Sequence, residues 1–160
     1  MSRANGFSLI ELVVALVIAG IVLSVALPAF GNYRNSMALK QANSQVLQDV
    51  RRARQLAITR RAPVIMTFGN PPGIGNITSY TIHVDGNADG VVQSSEVVTL
   101  RNMPRGTRLQ LVNLTPTDVL PFDISGVLQP GAGGGRLILQ NTPGRRDTLM
   151  VSTAGICYRP

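Results

Sequence analysis

Cysteine, histidine and lysine each occur once in this chain of 160 residues, as Cys157, His83 and Lys40, and tryptophan is absent. A single cysteine excludes an intrachain disulfide, a thiolate metal cluster and a Cys-x-x-Cys redox pair, and it leaves the redox compartment undefined. The three lone residues are scattered, and none has neighbours that would form a nucleophile with its base, so the sequence does not support a hydrolytic or transferase centre. Aromatic residues are also scarce, with three Tyr and four Phe, which leaves little to stack on the bases of a single strand. Acidic residues are outnumbered, 8 Asp plus Glu against 15 Lys plus Arg, for a formal net charge of +7. All the basic residues but Lys40 are arginine, which favours bidentate contact with phosphate or carboxylate. That balance suits DNA or anionic lipid as a partner, and it is equally found on proteins that touch neither.

What the sequence does have is one long apolar run near the start. Between Phe7 and Phe30 the only charged residue is Glu11. As a helix rising about 1.5 Å per residue this run measures roughly 36 Å, enough to cross a hydrocarbon core of about 30 Å. A secretory signal peptide has a shorter apolar segment and a small-x-small cleavage site after it, whereas this run is followed by PAFGNYRNS. Arg3 precedes the span and Arg34 and Lys40 follow it, so basic residues alone do not orient it. A charge at bilayer depth costs about 2.5–3.5 kcal/mol on insertion scales, which marks Glu11 as a functional residue. Pro28 removes a backbone donor and predicts a bend or local melting near residues 24–28.

Residues 31–62 read as a second, amphipathic stretch of helix. Met37, Val46, Val50, Ala53, Ala57 and Ile58 recur at mostly three- and four-residue spacing, and neither Pro nor Gly interrupts Asn32–Ala62. One stripe is expected to face a packed body, with Arg51, Arg52, Arg54, Arg60 and Arg61 directed elsewhere as a solvated face. Beyond Pro63 the runs VIMTF, SYTIHV, EVVTL, TRLQLV, RLILQ and TLMVS are rich in β-branched residues and divided by Gly, Pro and Asn. They predict an antiparallel β domain of six or seven strands. In TRLQLV strict alternation sets Leu109 and Leu111 on one face and Arg108, Gln110 and Val112 on the other. The GAGGG stretch at 131–135 reads as a flexible loop without the strand-then-helix setting of a phosphate-binding loop.

DGNADGVVQSSE, residues 85–96, matches the spacing D-x-[DN]-x-[DN]-G-x5-E. Asp85, Asn87 and Asp89 could supply side-chain oxygens to calcium, Val91 its carbonyl, Gln93 a direct or water-mediated contact and Glu96 a bidentate carboxylate, with Gly90 at the turn. The flanking segments are strands rather than helices, and Asp, Asn and Gly are also what an ordinary hairpin turn prefers. Both readings stand at this point: a structural calcium loop, or a polar turn without metal.

The front of the chain, GFSLIELVVALVIAGI, resembles the class III signal sequence of type IV pilins and type II secretion pseudopilins. The resemblance implies a leader of residues 1–6, cleavage by prepilin peptidase between Gly6 and Phe7, N-methylation of Phe7, and a transmembrane and assembly helix over 7–30. Pro28 stands where pilins often place a helix-distorting proline. In the family the glutamate, here Glu11, pairs with the N-terminal amine of a neighbouring subunit during assembly. In a low dielectric such a pair is strong, and leaving either partner unmatched is costly. The implied localisation is a single pass through the inner membrane with residues 31–160 in the periplasm, followed by incorporation into a filament with other pilins or pseudopilins.

SQVLQDVRRARQLAITRRAPVIMTF is similar to the GspH/FimT family of minor pilins and pseudopilins, through Ala53, Arg54, Ala57, Arg60, Val64 and Met66. This implies an α+β fold in which the long helix, half transmembrane and half amphipathic, packs on two antiparallel sheets. It also implies a minor, non-enzymatic subunit at or near the tip of a type IV pilus or a type II secretion pseudopilus. The alternative is a filament-borne DNA receptor for natural transformation, since some members bind DNA through a C-terminal Gly-Arg-x-Arg element. Here Gly155 is followed by Ile156, so only Arg159 matches; Arg136, Arg145 and Arg146 are the other arginines that could meet DNA phosphates.

Overall fold

The computed structural model describes residues 8–69, 77–91, 93, 96–115 and 118–160, with backbone alone at 27–29 and 111–112. The leader and the Gly6–Phe7 junction lie outside the described residues. One helix and eight strands follow in order: α1 (Leu9–Arg60), β1 (Val64–Phe68), β2 (Ser79–Val84), β3 (Val97–Asn102), β4 (Thr107–Thr115), β5 (Val119–Phe122), β6 (Gly133–Asn141), β7 (Arg146–Val151) and β8 (Cys157–Tyr158). Two compact units meet in sequence between Arg34 and Asn35, inside α1.

In the first unit α1 is apolar on every side, and every described side chain from Leu9 to Arg34 is exposed. The helical assignment passes through Pro28, where a bend or local melting is expected, without a break. Ser24 folds its hydroxyl back to donate to the Ile21 carbonyl, at 2.7 Å.

In the second unit the rear of α1 supplies a buried stripe of Leu39, Ala42, Val46, Val50, Ala53 and Ala57. Two residues expected in that stripe are outside it: Met37 is 45% exposed and Ile58 49% exposed. The three-and-four spacing fits several adjacent registers, and packing selects the one through Leu39 and Ala42. The helix ends where Arg61 turns left-handed, at φ 51°, two residues before Pro63. Arg51, Arg52, Arg60 and Arg61 are exposed and Arg54 is half-buried.

The strands form two four-stranded sheets, β3-β2-β1-β5 and β4-β6-β7-β8, with every recorded pairing antiparallel. Met66, Phe68, Tyr80, Leu120 and Phe122 from the first sheet share a core with Leu109, Leu137, Leu139 and Leu149 from the second and with the helix stripe. Burying one such aliphatic or aromatic side chain contributes about 1.5–3 kcal/mol, so this core is what holds the helix to the sheets.

Two sequence expectations are corrected here. The glycines Gly133–Gly135 are not a flexible loop; they open β6, and Gly135 pairs with Val151. A Cβ on Gly134 would collide with the Val151 carbonyl and one on Gly135 with the Asn113 carbonyl, so the run of glycines permits close backbone approach. In β4 the alternation breaks at Gln110. Leu109 stands opposite Leu139 but Leu111 stands opposite Ile138, because the register shifts by one between them.

Candidate functional site

The front of α1 begins with the Ser8 carbonyl accepting from the amides of Glu11 and Leu12, at 3.0 and 3.2 Å. Glu11 lies in the first turn, where a carboxylate meets the positive end of the helix dipole. Twelve large aliphatic side chains between Leu9 and Val25 are among the exposed residues. Covering them all is worth on the order of 20 kcal/mol or more. That outweighs the roughly 3 kcal/mol cost of one embedded carboxylate, so Glu11 does not prevent this segment from entering an apolar phase.

The rear of α1 is fastened by polar side chains that the sequence reading passed over. Tyr80 Oη donates to Asp49 Oδ2 at 2.6 Å, and Arg101 Nη2 donates to Asp49 Oδ1 at 3.3 Å. Burial and then the bond to Asp49 push the Tyr80 hydroxyl well above its ordinary range, so it remains a donor. Gln45 Nε2 adds a 2.9 Å bond to the Asn102 carbonyl. On the other sheet Asn43 Nδ2 donates to Asp147 Oδ2. An acid and an asparagine at positions 49 and 43, inside an apolar helix stripe, were the available signal.

The 85–96 loop joins β2 to β3, as its flanking strands implied. Asp85 accepts from the amides of Asp89 (3.2 Å) and Gly90 (2.8 Å), and Asp89 accepts from the Val91 amide at 2.8 Å, Asn87 at 2.9 Å and Gln93 at 2.6 Å. Glu96 accepts from the amides of Gly86 and Gln93, both at 3.0 Å, and lies 2.6 Å from His83 Nε2. The His83 contact and then the Gln93 amide hold the Glu96 carboxyl below its usual range, and the Val91 amide does the same for Asp89. Calcium requires six to eight oxygens converging at about 2.3–2.6 Å. Among the described residues no group of three or more His, Cys, Asp and Glu side chains is arranged to hold a metal ion. As assembled, the side chains of Asp85, Asn87, Asp89, Gln93 and Glu96 bond within the loop and to His83, and Val91 takes part through its amide.

Of the four candidate DNA-contacting arginines, three converge. Arg145, Arg146 and Arg159 line one cavity of 240 Å³ together with Lys40, Ser36 and Asp147. Arg145 Nη1 donates to Ser36 Oγ at 2.8 Å, and Arg159 Nη2 pairs with Asp147 Oδ2 at 2.9 Å. Arg136 does not join them; it lies in β6 opposite Met150 and Asn113. Ser152 organises the β7–β8 turn: its amide donates to the Ile156 carbonyl (2.9 Å) and its hydroxyl accepts from the Ile156 amide (3.2 Å). Ile156, where the DNA-binding element would have its first arginine, is half exposed. Cys157 is buried and its thiol is pushed up to about 11, chiefly by desolvation.

A long helix, bare and apolar at the front and packed on two antiparallel sheets at the rear, defines the pilin-like class of filament subunits. The chain belongs to the family described as type II transport protein GspH, whose model matches residues 42–155, and the prokaryotic N-terminal methylation motif matches residues 1–27. It is a type IV pilin-like protein. Over 117 residues it is 32% identical to the type IV narrow pilus major component PilA5 of Thermus thermophilus, a match covering 71% of this chain and 97% of that protein. The crystal structure of the type IV minor pilin FimU from Pseudomonas aeruginosa has the same fold, with a TM-score of 0.56 at 16% identity, covering 81% of this chain and 90% of that one.

Proposed function

We propose that the chain is a minor pilin or pseudopilin at or near the tip of a type IV pilus or type II secretion pseudopilus, held in the inner membrane before assembly. The observation that carries this reading is the exposed apolar front of α1 with its single acid, Glu11. Processing by prepilin peptidase creates a methylated amine at Phe7, and the Glu11 carboxylate of one subunit matches the amine of the next. The lipid phase covers the aliphatic surface first and other pilins cover it afterwards, so the same side chains serve both states. Replacement Glu11→Leu is expected to leave membrane insertion intact and to reduce recovery in sheared filaments by at least about tenfold. Normal recovery would refute the role given to Glu11.

A second reading, a major filament component, draws support from the likeness to PilA5. Quantitative mass spectrometry of sheared filaments separates the two: a minor subunit is present at a small fraction of the dominant pilin, a major one is the dominant band. A DNA-receptor role has less support, because Arg136 lies apart from the other three arginines and Arg159 is already neutralised by Asp147.

A further inference from the structure

We propose that the free edge of β3 receives an extended segment of a different protein, which joins the first sheet as a fifth strand. Four strands border the two sheets, β3 and β5 in one and β4 and β8 in the other. An edge strand presents unpaired N–H and C=O groups, and proteins block such edges with proline, bulges, charge or short length. β5 contains Pro121, which has no N–H, and bridges to Leu128 through Phe122. β4 has register shifts at Leu109/Leu111 and Asn113/Thr115, and β8 has only two residues. β3 has none of these devices, for it runs six residues, Val97–Asn102, in unbroken register with β2. Its one charged side chain, Arg101, is bonded to Asp49.

Backbone geometry locates the opening. The Met103 amide donates to the Thr78 carbonyl at 2.8 Å, in step with the pairing of Ser79 and Asn102. In an antiparallel ladder Val97, Thr99 and Arg101 therefore direct their backbone groups at β2, and Val98, Leu100 and Asn102 direct theirs outward. The Asn102 carbonyl accepts from Gln45 Nε2 at 2.9 Å, which leaves the backbone groups of Val98 and Leu100 without partners among the described residues. Their side chains share the outer face, 41% and 61% exposed, and Val97 is 57% exposed on the other. A row of amides and carbonyls at strand spacing is completed by another polypeptide backbone, so the edge selects a β-strand over a nucleic acid, a lipid or a free anion. The aliphatic pair selects branched apolar residues at alternate positions of the incoming segment. A second copy of β3 could pair antiparallel about a two-fold axis at Thr99, with Val98 facing Leu100 twice. That axis would set the two rear segments of α1, which pack on the inner face of the sheet, in opposite directions. Subunits of a helical filament share one direction, so the choice of a different protein rests on the filament reading. The other three edges of a second copy are blocked by proline, bulges or shortness.

The test uses the full-length protein in detergent micelles and follows amide hydrogen exchange at positions 98 and 100. The probe is a synthetic hexapeptide of alternating threonine and valine, and the control is the same peptide N-methylated at every residue. At millimolar hexapeptide the Val98 and Leu100 amides are expected to exchange at least about tenfold more slowly, while the methylated control leaves them unchanged. The double variant Val98→Lys/Leu100→Lys alters two exposed positions, so its melting temperature should match the wild type while its affinity for the hexapeptide falls about tenfold. No protection by the hexapeptide, equal protection by the control, or unchanged affinity in the variant overturns the proposal. Protection that rises with protein concentration in the absence of peptide also overturns it, because it assigns the edge to a second copy. Filament recovery plays no part in this readout, so a negative result leaves the filament reading standing. Absence of the chain from sheared filaments would refute that reading alone.

Discussion

Val17 and Val50 sit in one continuous helix, yet Val17 is 58% exposed and Val50 is fully buried. The front of α1 is apolar around its whole circumference and has no covering partner among the described residues, whereas the rear keeps a narrow stripe for the sheets. Helix geometry is the same in both. The difference is where the partner comes from: outside the chain at the front, inside it at the rear. An all-round apolar helix signals an external apolar phase, and a three-and-four stripe signals an internal one.

The sharpest way to break that comparison is to place the same charge on each half. Val50→Asp should destabilise the sheet-bearing unit by about 3–5 kcal/mol, since it buries an unpaired carboxylate in the common core. Val17→Asp should leave the melting of that unit unchanged and make transfer of the front into an apolar phase less favourable by about 3 kcal/mol, without abolishing it. If the two variants melt alike, the division between internal and external partners is wrong.

A smaller effect is expected from the polar tie between helix and sheet. Asp49→Ala leaves the Tyr80 hydroxyl and the Arg101 guanidinium without their shared acceptor and should cost about 1–3 kcal/mol in chemical denaturation. Adding Tyr80→Phe removes one of the orphaned groups, so the double variant should recover part of the loss.

The least disruptive perturbation is acid. Asp89 and Glu96 have folded-state values held below their ordinary 3.8 and 4.5. Their stabilising contribution is therefore complete above about pH 4.5 and fades as pH falls through the lowered values. The melting temperature should drop on acidification below that point, and Glu96→Gln should flatten the drop. Calcium at millimolar concentration should leave the melting temperature where it was. A rise would show that the loop can release Glu96 from His83 to take up the ion.

Much of this architecture was legible from pattern, and the exceptions have physical causes. The apolar front, the helical rear and six strands follow from periodicity. β5 was missed because it is only four residues long and contains Pro121, tolerated because β5 is an edge strand. β8 is two residues long, too short to show alternation. The glycines of β6 looked like a loop because a glycine run carries no side-chain pattern, and only the crowding by Asn113 and Val151 reveals their purpose. The bulge at Gln110 is equally silent in sequence. Of the candidate sites, the acids of the 85–96 loop were visible as a set because they are neighbours in the chain. The meeting of Lys40 with Arg145, Arg146 and Arg159 was not, since it depends on a fold that brings residues more than a hundred positions apart to one hollow.

The buried Cys157 thiol turns β8 into a built-in reporter of breathing. With its ionisation shifted to about 11 and its sulfur enclosed, this group resists alkylation until the short terminal strand detaches. The labelling rate under native conditions thus counts how often that strand lifts.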